Sequence, residues 1–432
     1  MHAMWRNWAG NQSMSPVAVE HPSSVDEVVQ LVKAAAAAGR RVKAIGSGHS
    51  FTAIGLTDGV LVQLDRLDRL MSVDRATGRV VVQGGMVLRR LNALLAEHGL
   101  GLTNMGDVDA QTVAGALATG THGTGRASGA LATQVVAVEL VLADGSVLTC
   151  STEDQPDLLA AARVSLGALG IVTAVTLQAE PAFLLHADER PMPLAEVLDD
   201  FEAHVAANDH FELYWFPHTD VALTKRNNRT TGPAQPLSRA RALLEDELLS
   251  NAAFGLTCRL GRAVPSLVPR LNRVSAAALG ARSYVDAAPT VFTAPRRVRF
   301  VETEWAVPRA LLPDVVRELR TLPERHDQRI SFPVEVRVAP ADDVALSTAS
   351  GRDTAYVAAH VFRGTDHRAY FGAVAALMGE VGGRPHWGKL HSLGAEELRE
   401  RYPGFDAFVA VRDRLDPARR FANAYLDRVL GA

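Results

Sequence analysis

Cysteine is scarce in this 432-residue chain, which contains only Cys150 and Cys258. Two cysteines this far apart provide neither a metal-ligand spacing nor a disulfide framework, and such low usage is typical of a reducing compartment. The first residues also lack the basic and then apolar plan of a secretory signal. We therefore expect a cytoplasmic protein, and a single disulfide between the two cysteines stays open.

Long apolar runs and an excess of either charge are missing as well. No apolar run approaches the ~20 residues that cross a bilayer, so we expect no membrane span. The formal net charge is -3, from 45 basic and 48 acidic side chains. This balance gives no reason to expect nucleic acid as a partner, and composition does not indicate an oligomeric state.

Several common catalytic fingerprints are absent. A dinucleotide fingerprint GxGxxG that starts at Gly46 would need glycine at position 51, where the chain has Phe51. The chain also contains no GxxxxGK[ST] loop, no GxSxG elbow and no HExxH pair. These absences exclude the usual signatures of nicotinamide, nucleoside-triphosphate, serine-hydrolase and zinc-protease sites.

Glycine-rich stretches with histidines are what the chain does contain. The turn GSGHSF at Gly46–Phe51 follows a predicted strand, Arg41–Ile45, and presents His49 at its tip. Glycine removes the Cβ that would block approach, so such a turn suits contact between backbone N–H groups and a phosphate. Similar stretches recur at Ala118–Gly125 (ATGTHGTG) and Ser165–Val172 (SLGALGIV). Together they predict an extended cofactor with phosphates and a ring system; the alternative is a set of glycine-rich loops without a ligand.

Hydrophobic periodicity predicts a mixture of helices and hairpins. Ser24 and Glu27 form a capping box before a helix that ends near Gly39, and helices are also predicted for Val87–His98 and most of Ala240–Ala288. The predicted strands are Val60–Leu64, Leu70–Asp74, Arg79–Gln83, Val135–Leu142, Val147–Cys150, Ile171–Leu177, Asp209–Phe216, Arg297–Trp305 and Ile330–Val338. This mixture favours an α+β fold over a doubly wound parallel sheet, and the length suits two domains.

The start of the chain carries Trp5, Asn7 and Trp8. Burying an indole ring is worth a few kcal/mol, so a tail with two tryptophans is unsuited to being a loose leader. We expect this tail to pack on the surface of the first domain.

Two segments in the second half carry candidate catalytic side chains. In FPVEVR, at Phe332–Arg337, a strand would place Glu335 and Arg337 on the same face, because side chains alternate along a strand. The alternative is a surface ion pair between these two residues, which would contribute little to stability. Lys389 in HWGK adds a second cation. His386 precedes it by one helical turn if this piece is helical, or it contacts the cofactor instead.

The chain resembles the flavoprotein oxidases of the vanillyl-alcohol-oxidase fold, and within them the aldonolactone branch of L-gulono-1,4-lactone oxidases and dehydrogenases. The resemblance covers nearly the whole chain. Besides the stretches already quoted, its motifs are NMGDVD at Asn104–Asp109, GGRPHWGKLH at Gly382–His391 and LDPARRFANAYL at Leu415–Leu426. Alditol oxidases share several of these motifs, including NWAGN near the start, HWGK and the Glu-x-Arg pair.

The resemblance implies that FAD is the cofactor and that His49 binds it covalently through a methyl group of the isoalloxazine ring. An imidazole is a suitable nucleophile near neutral pH. No metal is expected. The implied cofactor-binding residues are Ala44, Ile45, Gly46, Ser47, Gly48, His49, Ser50, Gly106, Asp107, Thr112, Gly115, Thr119, Gly120, Thr121, His122, Gly170, Ile171, Val172 and His386.

The resemblance also implies a domain plan: a PCMH-type FAD-binding domain at residues 1–181, a substrate-binding cap domain at 182–400, and a segment at 401–432 that returns to the FAD domain. The implied reaction removes a hydroxyl proton from a sugar lactone and transfers a hydride from the same carbon to flavin N5. Arg337 and Lys389 would stabilise developing negative charge on oxygen. Glu335 would hold neighbouring hydroxyls or take a proton, and the sequence leaves these two roles open.

Three functions compete. The first is an aldonolactone oxidase or dehydrogenase, and Asp107 favours it, because alditol oxidases usually place a serine there. The second is an alditol oxidase that acts on an open-chain polyol, and the third is a flavin-binding protein without turnover. Gly106 favours oxygen as the electron acceptor, because in this family a small residue at that position leaves room beside the flavin, but another acceptor stays open.

Overall fold

The first sheet is small and parallel. The structure, a computed structural model, describes residues 4–243 and 251–432. The strands of this sheet lie in the order Ala18–Glu20, Val60–Gln63 and Val42–Ile45. The predicted helix spans Val25–Ala37 and packs its buried valines against the sheet. The Ser24 hydroxyl caps this helix by accepting a hydrogen bond from the Glu27 N–H.

The second sheet is antiparallel and has five strands. In spatial order they are Val147–Ser151, Val135–Val141, Ile171–Gln178, Arg79–Gln83 and Leu70–Asp74. Both predicted hairpins are therefore confirmed. The predicted helix at 87–98 is present as Leu88–Glu97. Two short sheets complete this part: Trp5–Arg6 with Ser13–Met14, and Leu100–Gly101 with Glu180–Pro181.

The third sheet is the largest, and all eight of its strands pair antiparallel. Their order is Arg282–Ala287, Leu184–Pro193, Val221–Thr230, His210–Trp215, Val334–Ala339, Thr354–Phe362, Phe300–Pro308 and Arg384–Pro385. Among the described residues, only the three-stranded sheet is parallel, which confirms the predicted α+β class.

Helices surround these sheets. The other α-helices of the described ranges are Val113–Ala118, Pro156–Ala162, Leu194–Asp199, Phe201–Ala206, Arg239–Ala242, Phe254–Ala263, Val268–Ala277, Ala288–Phe292, Leu312–Leu319, Leu322–Arg325, Arg368–Glu380, Ala395–Arg401, Phe405–Leu415 and Ala424–Leu430. In the region predicted to be helical, Ala240–Ala288, the stretch Arg282–Ala287 is a strand instead. Residues 244–250 of that region lie outside the described residues.

Two further observations bear on the composition. Cys150 and Cys258 are both buried and free, so the open disulfide alternative is wrong. Within the part of the chain that the structure describes, no helix combines the length and the apolar character that a membrane crossing requires.

The C-terminal segment returns to the first sheet. The Asn423 side-chain amide donates to the carbonyls of Ala53, Ile54 and Leu56 at 2.8–3.2 Å. The Val42 N–H donates to the Arg420 carbonyl at 2.9 Å. These contacts support a discontinuous first domain, and we propose the boundaries 1–181, 182–400 and 401–432 on that basis.

Replacing Asn423 should destabilise the fold. Asn423→Ala removes the N-cap of the last helix, where Asn423 accepts from the Leu426 N–H, and leaves three carbonyls without their donor. We expect the free energy of unfolding to fall by about 2–4 kcal/mol, measured by chemical denaturation at equal FAD content. Asn423→Ser keeps a capping oxygen and should recover about 1 kcal/mol of this loss. A denaturation midpoint of Asn423→Ala equal to that of the unsubstituted protein would contradict this role.

Candidate active site

The strand Val42–Ile45 ends in the glycine turn that carries His49. A Cβ at Gly46 would lie 2.3 Å from the Thr112 hydroxyl oxygen, so a larger residue cannot lie there without displacing that side chain. Gly48 adopts a φ of +72°, in the left-handed region that favours glycine. The two glycines are therefore required by the local geometry, and they let bare backbone border the cavity beside them.

A cavity of about 680 Å³ runs along this turn. Lys43, Gln111 and Leu166 are among the residues that line it. Ten of the predicted cofactor-binding residues also line it: Ala44, Ile45, Gly46, Ser47, Gly48, His49, Ser50, Thr112, Gly115 and Thr119. The first cavity thus brings together glycine-rich stretches from separate parts of the chain, as the sequence predicts.

A second cavity, of about 800 Å³, also borders the turn. The predicted residues that line it are His49, Ser50, Gly106, Asp107, Thr119, Thr121, His122, Glu335, Arg337, His386 and Lys389. His49, Ser50, Gln111 and Thr119 border both cavities. The two spaces therefore meet at His49, and all three candidate catalytic side chains lie in the second one.

Four predicted cofactor residues line neither of these cavities. Gly120, at a φ of +75°, forms the bend between Thr119 and Thr121. Gly170, Ile171 and Val172 lie at the start of a central strand of the five-stranded sheet, where the two side chains are buried. Contact between these four residues and the cofactor stays a prediction.

Arg337 lies at the centre of a buried charge cluster. Its guanidinium forms an ion pair with Glu335, donates from Nε to Glu212 at 2.9 Å and lies 3.7 Å from an oxygen of Asp107. The Tyr214 hydroxyl donates to Glu335 at 2.6 Å. The side chains of Glu335 and Arg337 are only 7% and 10% exposed, so the alternative of a surface ion pair is wrong. Both faces of the strand are buried, and removing one partner would leave an uncompensated charge.

Asp107 is held from two sides. Arg296 donates to one of its oxygens from Nε at 2.9 Å and also from Nη2, and Arg337 approaches the other oxygen. Burial alone would raise the pKa of Asp107, but the two guanidinium groups outweigh burial and hold that pKa far below its usual range. Asp107 is thus a fixed anion at the wall of the second cavity.

Lys389 is a further cation of the second cavity, which Arg296 and Arg337 also line. Its ammonium pairs with Glu302 and lies 3.7 Å from Glu304. Burial lowers the pKa of Lys389, but the two carboxylates outweigh burial and raise it. The segment from His386 to Lys389 is a turn closed by a hydrogen bond from the Lys389 N–H to the His386 carbonyl at 3.0 Å, so the helical alternative for this piece is wrong.

Two buried histidines complete the wall. His122 lies 2.6 Å from Glu304 and stacks on Tyr356 at a ring distance of 3.5 Å. Burial would raise the pKa of Glu304, yet the contact with His122 holds it well below its usual value. Burial lowers the pKa of His386 to about 3, so this ring is neutral at ordinary pH. Its Nδ1 accepts a hydrogen bond from the Gly388 N–H at 3.0 Å.

His122, Glu304 and His386 are close enough to hold a metal ion, because their ligand atoms lie within 4.8 Å of one another. Hydrogen bonds already engage these atoms. His122 contacts the Gly123 carbonyl through Nδ1 and Glu304 through Nε2, and His386 Nδ1 accepts from Gly388. We interpret the group as a hydrogen-bonded network, and the absence of a metal stays a prediction.

Sequence reasoning missed several residues of the second cavity. Glu302 and Glu304 are two residues apart on the strand Phe300–Pro308, so they share one face, as Glu335 and Arg337 do on their strand. The same argument applied to the stretch VETEW would have found them. Arg296 lies in a loop and gives no such signal. The tail was expected to pack on the surface of the first domain, and it does pack on the glycine turn there, where the Trp8 N–H donates to the Gly48 carbonyl. Sequence reasoning did not predict that Trp8 also borders the cavity beside His49.

Comparison with known proteins identifies both parts of the chain. The family model "FAD binding domain" matches residues 16–151, and the model "D-arabinono-1,4-lactone oxidase" matches residues 175–429. The chain is similar to cholesterol oxidase from Brevibacterium sterolicum in structure, with a TM-score of 0.86, 19% identity, and coverage of 99% of this chain and 96% of that one. At this identity the likeness concerns the fold alone, and it agrees with the predicted vanillyl-alcohol-oxidase fold.

Similarity to curated proteins extends over the full length. The chain is 45% identical to an L-gulono-1,4-lactone dehydrogenase of Mycobacterium tuberculosis over 100% of both chains. It is 35% identical to L-gulonolactone oxidase of Bos taurus and 32% identical to alditol oxidase of a Streptomyces species, with 98% of each chain covered in both cases. The chain therefore belongs to the aldonolactone oxidoreductase family of FAD-dependent enzymes.

Proposed function

We propose that this protein oxidises L-gulono-1,4-lactone or a related aldonolactone with FAD as the cofactor, and that the flavin is reoxidised by oxygen or by another acceptor. One observation carries the proposal. Glu335 and Arg337, which share one strand, and Lys389, which lies in a later turn, border one cavity, and that cavity meets the glycine-lined one at His49. A polar pocket beside a cofactor pocket suits the oxidation of a polyhydroxylated substrate.

The residues of both cavities suit FAD. The first cavity has the bare backbone that contact with a pyrophosphate requires, and the second has room for a ring system and a small substrate. FAD supplies the hydride acceptor when bound. We propose His49 as the covalent attachment point: burial, and secondly Lys389, lower the pKa of His49, so its imidazole is neutral and nucleophilic near pH 7.

The cations of the second cavity would act on the substrate oxygen. Arg337 and Lys389 both remain charged, because neighbouring carboxylates raise their pKa values despite burial. Each is pre-oriented by its ion pairs, so little reorganisation is needed when negative charge develops on oxygen. Glu335, which is held by Tyr214 and Arg337, is positioned to accept a hydrogen bond from a substrate hydroxyl.

Glu302 is the group best suited to take the hydroxyl proton. It lines the cavity beside Lys389, and burial raises its pKa, although Lys389 and His360 oppose that rise. A raised pKa brings a carboxylate closer to the value that proton uptake near neutral pH requires. Lys389, His360 and Glu304 are the charged or titratable groups that face it.

Two alternative functions stay open to the same site. An alditol oxidase would bind an open-chain polyol, and a flavin-binding protein without turnover would leave the cations idle. Asp107 favours the lactone, because an anion anchored by Arg296 stands where alditol oxidases usually have a serine. The cytoplasmic location stays a prediction from the scarce cysteines.

The first test is steady-state oxidation of L-gulono-1,4-lactone and of xylitol, each in air and with an artificial electron acceptor. We expect turnover of the lactone and formation of hydrogen peroxide in air. Turnover with the artificial acceptor alone would keep the substrate and make the protein a dehydrogenase. Activity on xylitol alone would contradict the lactone assignment, and a yellow protein that neither substrate bleaches would favour the binding protein.

Gly106→Ala should slow the reaction with oxygen. A Cβ at Gly106 would lie 3.1 Å from the His122 carbonyl oxygen and 3.1 Å from a Thr121 methyl carbon, so it fits after a small shift and fills space in the cavity. We expect reoxidation of the reduced flavin by oxygen to slow at least about tenfold, or about 1.4 kcal/mol, with little change for an artificial acceptor. Gly372→Ala is the matched control, because its Cβ meets nothing within 4 Å. Unchanged oxygen reactivity in Gly106→Ala would show that this position does not control access.

Glu302→Gln should lower kcat for the lactone by about 100-fold or more, because the proton acceptor is lost. In the unsubstituted protein kcat should rise with pH as the raised pKa of Glu302 is passed, and this dependence should disappear in the variant. Glu335→Gln is the comparison: it should mainly raise KM. Stopped-flow reduction of the flavin at varied pH and lactone concentration measures the rate and its concentration dependence for both variants. A Glu302→Gln enzyme with unchanged kcat and an unchanged pH profile would assign the proton to another group.

A further inference from the structure

The N-terminal segment forms a clasp over the turn that carries His49. We define the clasp as residues 5–14, in which Trp5–Arg6 and Ser13–Met14 pair antiparallel. The Trp5 ring lies so close to Gly48 that a Cβ there would approach it to 2.9 Å. The clasp is thus packed directly on the glycine turn.

Hydrogen bonds attach the clasp to the backbone of the turn. Every one of them runs from an N–H of the clasp to a carbonyl of the turn, so the clasp is fixed to the turn at several points. The pairs are Trp8 N to Gly48 O at 2.8 Å, Asn7 Nδ2 to Ser50 O at 2.9 Å, Asn11 Nδ2 to Phe51 O at 2.9 Å and Gln12 Nε2 to Phe51 O at 3.0 Å.

The Trp8 ring holds the His49 ring. The two rings are stacked, with centroids 5.6 Å apart and planes inclined by 24°. Trp8 is itself fixed by edge contacts with Phe51 at 6.4 Å and Phe300 at 5.3 Å. Among residues 4–243 and 251–432, no group forms a hydrogen bond with the ring nitrogens of His49. The ring contact described for the imidazole is therefore its stacking on Trp8.

We propose that Trp8 is a positioning residue for the covalent attachment of FAD: by stacking on His49 it holds the imidazole in the orientation from which a ring nitrogen bonds to the flavin. This inference rests on the proposed attachment at His49. His49 borders both cavities, so its nitrogens lie where the two spaces meet. A free imidazole would rotate about its side-chain bonds, and misorientation of a nucleophile costs rate steeply.

The attachment step balances with dioxygen as the final oxidant. A bond forms between an imidazole nitrogen and the carbon of a flavin methyl group. One C–H bond of that methyl group and the N–H bond of the imidazole break. The two hydrogens, with two electrons, reduce the flavin, and dioxygen then accepts both electrons and both protons as hydrogen peroxide.

The test compares Trp8→Met and Trp8→Phe. Methionine keeps the apolar volume without a ring face, and phenylalanine restores a ring. Protein is made in riboflavin-starved cells and mixed with FAD. At each time point, total bound flavin is measured by absorbance, and attached flavin is measured in the acid-precipitated protein. We expect Trp8→Met to bind FAD and to attach it at least about tenfold more slowly, and Trp8→Phe to attach it at close to the unsubstituted rate.

Two controls separate positioning from general loosening of the clasp. Gln12→Ala removes one of two donors to the Phe51 carbonyl and does not touch His49, so attachment should proceed at the unsubstituted rate. His49→Ala gives the baseline of bound but unattached flavin. Attachment by Trp8→Met at the unsubstituted rate would overturn the proposal, as would equal slowing in Gln12→Ala. Loss of all bound flavin in both Trp8 variants would also overturn it, because Trp8 would then serve binding.

Failure of the underlying attachment is recognised separately. Unsubstituted protein without acid-stable flavin would overturn both the linkage at His49 and the role of Trp8. Lactone oxidation by the same preparation would leave the proposed activity intact, since a tightly bound flavin also supports turnover.

Discussion

Buried charges from opposite parts of the chain meet at one place, and the site depends on their pairing. Asp107 belongs to the glycine-rich segment beside the FAD-binding sheets, whereas Arg337 lies on the large antiparallel sheet, and their charged groups are 3.7 Å apart. His122 and Glu304 form a second contact between these parts, at 2.6 Å. Asp107 and Arg337 have lost their water, so each needs its charged partner. The pairs therefore constrain how the two halves are placed around the cavity.

Such pairs contribute little net stability, because desolvation offsets much of the attraction. Their effect is on chemistry. Arg337 and Lys389 remain protonated inside the protein, the carboxyls of Asp107 and Glu304 are held as anions, and Glu302 has a raised pKa because burial prevails there. Different balances of burial and pairing thus give neighbouring groups different protonation states within one cavity.

Much of the fold was predictable because its signals are local. The hairpin Leu70–Asp74 with Arg79–Gln83 was predicted to the residue, since its turn and its strands lie within a few residues of each other. The segment between Gly99 and Gly125 was harder. It includes the helix Val113–Ala118, which glycine content alone argues against, and the Thr112 side chain caps this helix at Gly115. The place of Trp8 beside the cavity was not predicted, because its ring contacts are with residues distant in the chain.

The sequence by itself determined the chemistry that is available: glycines where backbone must be bare, a histidine at the tip of a turn, and Glu335 and Arg337 on one face of a strand. Motif resemblance added the cofactor and the family. Only the tertiary structure decided which side chains act together. Arg296 contacts Asp107 across 189 residues, and Lys389 contacts Glu302 across 87. Strand register and the packing of sheets set such distances, and neither leaves a local mark in the chain.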